Sequence, residues 1–322
     1  MKQKVSIVIP VFNESANVPV IVSAIFKEFE KLPYHFEIIL VDDGSYDDTF
    51  ELIQAQTTLY ENVFYIQLSR NFGHQNALKA GLDCATGDCV ISMDGDMQHP
   101  PYLIKDLLAL WEEGFEVVYT RRQDTKDIGL FKRFSSKVFY KVINFVSDVK
   151  IEEGAADFRL LDRKVVNKLK EFKETDLFLR GLVKWVGFRQ KGIDYKPEPR
   201  HSGKTKYTLS RMIRFAVEGV TSFSIRPLIF AVYLGFFFSL LSIVIYVPYL
   251  ANAILTKNHF PRWASILSLV AFFGGLNLSL LGIVGIYIGK LFMQSKARPN
   301  YIVRQTNVVK DPTLLEHDLV EF

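Results

Sequence analysis

The sequence has little of what marks several large functional classes. It contains neither the Gly-rich fingerprint of dinucleotide sites nor a P-loop, so a phosphate-bearing ligand would not be held in a glycine cradle. It has two cysteines in 322 residues, Cys84 and Cys89; their spacing fits no common metal pattern, and core packing is their expected role. The net charge of +4 is too mild to argue for nucleic acid, and no nucleic-acid partner is expected. No apolar run opens the chain, so no signal peptide is expected and the first part should fold in the compartment where it is made.

Long apolar runs are present instead, near the other end. Pro227 to Thr256 and Trp263 to Gly289 are free of charge, and each exceeds the ~20 residues that cross a bilayer as a helix. Core helices are the alternative, but each would have to be buried all round, twice in succession. Two transmembrane helices, 227–256 and 263–289, are therefore expected. Arg211, Arg214 and Arg226 precede the first, and Lys290, Lys296, Arg298 and Arg304 follow the second, with only Lys257 and Arg262 between them. By the positive-inside rule both termini are expected in the cytoplasm, in a multi-pass protein of the plasma (inner) membrane, with 290–322 as a cytoplasmic tail. No acid or base lies within either span, so neither reads as an ion path. Gly275, Ser279, Gly282, Gly285 and Gly289 allow close packing within the pair or between subunits of a homo-oligomer.

The first two hundred residues alternate. Val5 to Ile9, Phe36 to Val41, Val63 to Leu68 and Cys89 to Met93 read as strands, with helices expected over Asn17 to Leu32, Asp47 to Gln56 and Gly73 to Ala85. This pattern predicts an α/β domain with right-handed crossovers and a mainly parallel sheet between layers of helices. In such sheets ligands gather at the carboxyl ends of the strands.

Three polar clusters fall there: Pro10-Val11-Phe12-Asn13-Glu14, Asp42-Asp43-Gly44-Ser45 and Asp94-Gly95-Asp96. Each alone could be a solvated turn or a helix cap. Together, at one edge, they suit a nucleotide, because carboxylates accept hydrogen bonds from ribose hydroxyls and base N–H groups. Asp94 and Asp96 repel unless a cation or donor lies between them. Hard oxygen ligands favour Mg²⁺ or Mn²⁺, which offsets the charge of a diphosphate. Gly95 is expected to let the backbone approach a ligand, and Pro100-Pro101 to start the next helix.

Asp94-Gly95-Asp96-Met97-Gln98-His99-Pro100-Pro101 resembles the family-2 glycosyltransferases of GT-A fold over roughly residues 5–205. Within them it is similar to the subgroup that loads sugar onto polyprenyl phosphate, the dolichyl-phosphate mannose synthases and, given two C-terminal spans, bacterial bactoprenol glucosyltransferases. The resemblance implies that Pro10, Glu14 and Asp43 hold the nucleoside, that Asp94 lies near the ribose and diphosphate, and that Asp96 with Gln98 places the metal. It also implies that Asp157, in Gly154-Ala155-Ala156-Asp157-Phe158-Arg159, is the catalytic carboxylate. A phosphate acceptor is already largely ionised near neutral pH, so Asp157 is expected to position the acceptor or stabilise charge rather than take a proton; pairing with Arg159 or Arg163 is its alternative role.

The acceptor side is read from cations near the spans. A strand at Glu116 to Thr120 leads to Arg121 and Arg122. The stretch 128–149 then interleaves Lys132, Arg133, Lys137 and Lys141 with Leu and Phe, as expected of a helix lying on an anionic membrane. Arg200-His201-Ser202-Gly203-Lys204 precedes a juxtamembrane helix expected within 206–226. Arg122, Arg133, Arg200, Ser202 and Lys204 are the candidates for the acceptor phosphate. The expected function is inverting transfer of a sugar, glucose from UDP-glucose in the first instance, to undecaprenyl phosphate for cell-surface glycan modification. GDP-mannose or a UDP-amino-pentose are alternative donors. A processive polysaccharide synthase and a non-catalytic membrane partner that binds nucleotide sugar are the rival readings. Against the synthase, Arg180-Gly181-Leu182-Val183-Lys184-Trp185 departs from its Gln-x-x-Arg-Trp signature.

Overall fold

Lys4–Val11 forms β1, and every residue of it after Lys4 is buried, as befits a strand covered on both faces. The computed structural model describes residues 3–123, 154–174, 178–196, 228–235, 237–238, 240, 244 and 262–308. After β1 come α1 (Val18–Phe29), β2 (His35–Asp42), α2 (Thr49–Leu59), β3 (Val63–Leu68), α3 (His74–Cys84), β4 (Cys89–Ser92), α4 (Ile104–Glu112), β5 (Val117–Arg122) and β6 (Ala155–Asp162). The chain continues through α5 (Arg163–Glu171), α6 (Leu179–Trp185), β7 (Gln190–Tyr195), α7 (Arg262–Ser295) and β8 (Val303–Thr306). The expected strands and helices of the first 93 residues are all present, because their periodicity is local and strong. The expected helices at 128–149 and within 206–226 lie outside the described residues.

Alternation within the strands divides the core in two. Val5, Ile7 and Ile9 face a layer that includes Val18, Ile21, Ile25 and Trp111. Val8, Ile39 and Val41 face the other, with Ala77, Ala80, Val165 and Leu182. Each large aliphatic side chain so buried contributes roughly 1.5–3 kcal/mol. On the second face α3 lies very close to the sheet: a Cβ on Gly81 would come within 2.2 Å of Val8 Cγ1, so only glycine fits. Asp162 caps α5 by accepting the Lys164 N–H at 2.8 Å.

The eight strands run in the order β7-β5-β6-β4-β1-β2-β3-β8. The sheet is mainly parallel, as expected, with β5 and β7 running the same way as β1 to β4, but two strands are reversed. The centre, β4-β1-β2-β3, is parallel, but β6 is antiparallel to both β4 and β5, and β8 is antiparallel to β3. The sheet is mixed, and the reversal of β6 has a consequence for chemistry. A parallel strand would place its first residues at the amino edge; the antiparallel β6 brings them to the carboxyl edge.

One described helix is long and apolar enough to cross a membrane. Phe272–Ser295, within α7, has 24 residues, which at ~1.5 Å per residue spans the ~30 Å hydrocarbon layer. Residues 228–235 are helical, but the described residues do not establish a second span over 227–256. The segment expected to be a simple tail instead returns to the domain, where β8 pairs with β3. Asn307 Oδ1 accepts the Tyr65 N–H at 2.6 Å, Thr306 Oγ1 donates to Tyr65 O at 2.6 Å, and the Tyr301 hydroxyl donates to Asp83 at 2.9 Å.

Candidate active site

Register sets the edge. Val11 at the end of β1 lies opposite Asp42 at the end of β2, and Ser92 at the end of β4 lies opposite Val8 on one side and Arg159 on the other. The same β4–β6 register carried two residues further brings Asp94 and Asp157 to the same level. Ser92 Oγ donates to Asp157 O at 2.6 Å and holds the two strands together there.

The first two clusters lock to each other. Asn13, in the left-handed region at φ 54°, donates its N–H to Ser45 Oγ at 3.0 Å and accepts from Tyr46 N through Oδ1 at 2.9 Å. Pro10 is buried within β1. Glu14 lies in the turn that leads into α1: its carbonyl accepts from Asn17 N and Val18 N, and its N–H donates to Thr49 Oγ1 at 2.9 Å. Asp43 is buried, and its two oxygens accept from Phe72 N at 2.7 Å and Gly73 N at 3.0 Å. Burial raises its pKa, with those two hydrogen bonds opposing the shift. Asp43 thus fastens the loop that leads into α3.

Around Asp94 the structure adds a residue to which the motif alone gave no role. The Asp94 N–H donates to His99 Nδ1 at 2.9 Å, so the ring proton of neutral His99 sits on Nε2, 3.6 Å from Asp94 Oδ2. His99 is buried and stacks on Phe158 at 5.2 Å between centroids. Asp94 Oδ1 is buried without a hydrogen bond among the described residues; His74 Nε2 is 3.4 Å away. Asp96 Oδ1 accepts from Gln98 N at 3.1 Å, across Met97 at φ 61°. Gly95 has a packing reason within the fold. A Cβ there would lie 2.8 Å from Val11 Cγ1, so glycine makes room for the end of β1.

Asp157 is buried in a ring of donors. Arg180 donates from Nε to Oδ1 at 2.8 Å and from Nη2 to Oδ2 at 2.7 Å; Arg159 Nη2 donates to Oδ1 at 3.2 Å, and Gln75 Nε2 to Oδ2 at 3.4 Å. His74 Nε2 stands 3.6 Å from Oδ2 and so bridges Asp157 and Asp94. Burial alone would raise the pKa of Asp157, but Arg180, His74 and Arg159 together hold it well below the usual carboxylate range. Desolvation alone would lower that of His74, yet Asp157 and Asp94 push it up to about 9, although 41% of the side chain stays accessible. Arg159, fully enclosed, is lowered to about 10 by burial. The arrangement is a fixed anion inside a cationic shell. Its protons do not move near neutral pH.

Pairing of Asp157 with Arg159 is present; Arg163 instead donates to Gly87 O, at the far edge. Arg122 lies exposed at the end of β5 beside Tyr195, whose pKa burial raises to about 12. Arg133, Arg200, Ser202 and Lys204 lie outside the described residues. His74, Gln75, His99 and Arg180 are the residues that sequence reasoning missed. Arg180 opens the segment Arg180–Trp185 that departs from the Gln-x-x-Arg-Trp signature. Among the described residues no three His, Cys, Asp or Glu side chains converge as a metal-binding group.

Residues 6–170 match the family described as Glycosyl transferase family 2. Among curated proteins, the chain is 37% identical over 302 residues to the bactoprenol glucosyl transferase of Shigella phage SfX, covering 94% of this chain and 99% of that one. It is 38% identical over 309 residues to a putative glycosyltransferase of Bacillus subtilis, CsbB, covering 96% and 94%. Among solved structures, a Pyrobaculum calidifontis mannosyltransferase in complex with GDP-Man and Mn²⁺ is 15% identical, with a TM-score of 0.47 over 89% of this chain and 88% of that one.

Proposed function

The chain belongs to glycosyl transferase family 2, and on that premise we propose that it transfers glucose from UDP-glucose to a membrane polyprenyl phosphate. The observation that carries this reading is the near-full-length match to bactoprenol glucosyl transferases in a chain that brings Asp94 and Asp157 together, 63 positions apart, at one edge of its sheet.

In the proposed reaction an oxygen of the acceptor phosphate attacks the anomeric carbon from the face opposite the nucleotide. The new C–O bond forms as the bond to the diphosphate breaks, and its electron pair leaves on the diphosphate oxygen, so the configuration inverts. The acceptor arrives ionised, its second pKa being about 6, and needs no strong base. Asp157 fits that requirement. Its clamped carboxylate is a poor proton acceptor at pH 7, and it offers a fixed negative charge beside which positive character at the anomeric carbon is stabilised. Pro10, Glu14 and Asp43 remain the proposed nucleoside side of the site. Asp43 acts there through the Phe72–Gly73 loop that it holds.

Asp94 Oδ1, a buried oxygen without a hydrogen bond among the described residues, is what a hard divalent cation would complete, and Asp96 and Gln98 would supply oxygen ligands from the same loop. Mg²⁺ or Mn²⁺ bound there would offset the charge of the departing diphosphate. Arg122 is the described candidate for the acceptor phosphate; Arg133, Arg200, Ser202 and Lys204 are proposed with it.

The return of β8 to the sheet supports a multi-pass topology. With α7 in a bilayer, its C-terminal end lies on the side of the sheet and Arg262 on the other. The chain between Lys196 and Arg262 then has to cross an odd number of times, and 227–256 is the apolar stretch available. With the positive-inside rule, the sheet domain is cytoplasmic. The deciding experiment is transfer of labelled sugar from UDP-glucose, and in parallel from GDP-mannose, to short polyprenyl phosphates with Mg²⁺ and an EDTA control. A lipid product from UDP-glucose, lost with EDTA, is expected. Tight nucleotide binding without a product from any donor would sink the transferase reading in favour of a non-catalytic partner.

A further inference from the structure

The loop after α5 is held between two things that ordinarily lie far apart. On one side Gln294, in the last turn of α7, donates from Nε2 to Lys173 O at 3.0 Å, and the charge of Lys290 is felt at Glu174. On the other, the Phe172 ring meets Trp185 edge-on at 5.7 Å. Trp185 closes α6 and is 62% exposed. The level of α7 at which this happens is marked by its side chains. Ile286 and Ile288 are apolar and exposed, Lys290 follows them, and Lys296, past the exposed Leu291 and Phe292, folds back over the Phe292 ring at 4.3 Å. An apolar helix surface that gives way to lysine within one turn is where a hydrocarbon layer ends and headgroups begin. Trp185 sits one packing contact away from that boundary.

We propose that Trp185 is a membrane anchor of the sheet domain, with its indole seated in the headgroup layer beside the end of α7. The inference rests on the reading of α7 as a membrane span. Tryptophan is suited to this position because it offers a large apolar body and one N–H donor, and aromatic residues of this kind gather at bilayer interfaces. Lys173, exposed next to Phe172, and Lys296 add positive charge facing anionic lipid, while Glu171 pairs with Lys168 at 2.9 Å and Glu174 lies near Lys290. Lipid is favoured over a second copy of the chain because the surface is continuous with the exposed apolar face of α7.

The position has a consequence for the proposed reaction. Arg180 and Trp185 are on one helix, and the rise between them is roughly 7–8 Å at 1.5 Å per residue. The clamp on Asp157 is thereby tied to the depth of the bilayer. A lipid-linked phosphate is met near the plane in which it lies.

The test uses the full chain in vesicles of phosphatidylglycerol and phosphatidylethanolamine, with and without bromine on the acyl chains near the headgroup. Bromine quenches tryptophan only on contact. The chain has three tryptophans, so subtracting the emission of Trp185→Phe or of Trp263→Phe from that of the unaltered protein isolates each contribution without touching buried Trp111. The Trp185 contribution is expected to fall at least about twofold in brominated vesicles. If the Trp263 contribution is quenched and that of Trp185 is not, α7 is in the bilayer and the anchor is wrong. Protection of Trp185 from both bromine and aqueous iodide also overturns it, by placing the indole in a subunit contact. If neither contribution is quenched, the membrane reading itself fails.

Discussion

Arg180 reaches Asp157 from a helix 23 positions further along the chain and takes both of its oxygens, Nε to Oδ1 at 2.8 Å and Nη2 to Oδ2 at 2.7 Å. A two-pronged contact of this kind fixes direction as well as charge, because a guanidinium and a carboxylate match in plane and spacing. Arg159 and His74 share the same carboxylate, so its negative charge is held in place rather than available for proton transfer.

Arg180→Lys keeps a charge but cannot reproduce the fork. Turnover is expected to fall by about 10²-fold with the KM for nucleotide sugar little changed, and Arg180→Met by more. The split between kcat and KM is the readout; a loss confined to KM would assign Arg180 to donor binding instead.

His74 carries a pH signature. Its pKa in the fold, about 9, lies above the unfolded value of about 6.5. The stabilisation its cation supplies is therefore fully present below about 6.5 and is lost as pH rises through about 9. In metal-free detergent solution the melting temperature of the unaltered protein should decline across that window, and His74→Gln should flatten the decline. Parallel curves for the two proteins would remove His74 from the account.

Gly95→Ala would press a methyl group against Val11, which is 2.8 Å from the position its Cβ would take. Overpacking of this sort costs about 1–3 kcal/mol. Val11→Ala in the same chain should restore most of the loss, measured by chemical or thermal unfolding. A ligand clearance role for Gly95 would be unaffected by Val11 and predicts no rescue.

Asn307 and Thr306 tie β8 to Tyr65 through two side-chain hydrogen bonds, from the Tyr65 N–H to Asn307 Oδ1 and from the Thr306 hydroxyl to the Tyr65 carbonyl. Replacing them together, Thr306→Val with Asn307→Ala, should cost about 1–2 kcal/mol and lower Tm by a few degrees. An unchanged Tm would mean that the strand is an ornament on the sheet edge.

The strands and helices up to Ser92 were legible because each declares itself within a short window, by alternation, by helical spacing or by a polar break. The acid clusters at the strand ends were legible for the same reason. Asp94 and Asp96 need no tertiary knowledge to be noticed. What such windows do not contain is direction and partnership. Nothing in Ala155–Asp162 says that it runs antiparallel to β4, yet that reversal alone carries Asp157 to the level of Asp94. His74, Arg180 and Asp157 lie in three separate elements, and their charges shift one another only after the sheet has brought them within hydrogen-bond range. Asp43 was recognisable as an acid at a strand end, but that its oxygens face the Phe72 and Gly73 amides depends on where the next loop folds. The four residues of β8 are too few and too polar to announce a strand, and they become one because β3 offers an unpaired edge. Local pattern determined the elements and the acids of this protein. Long-range pairing decided which of those acids are held and which is left without a hydrogen bond among the described residues.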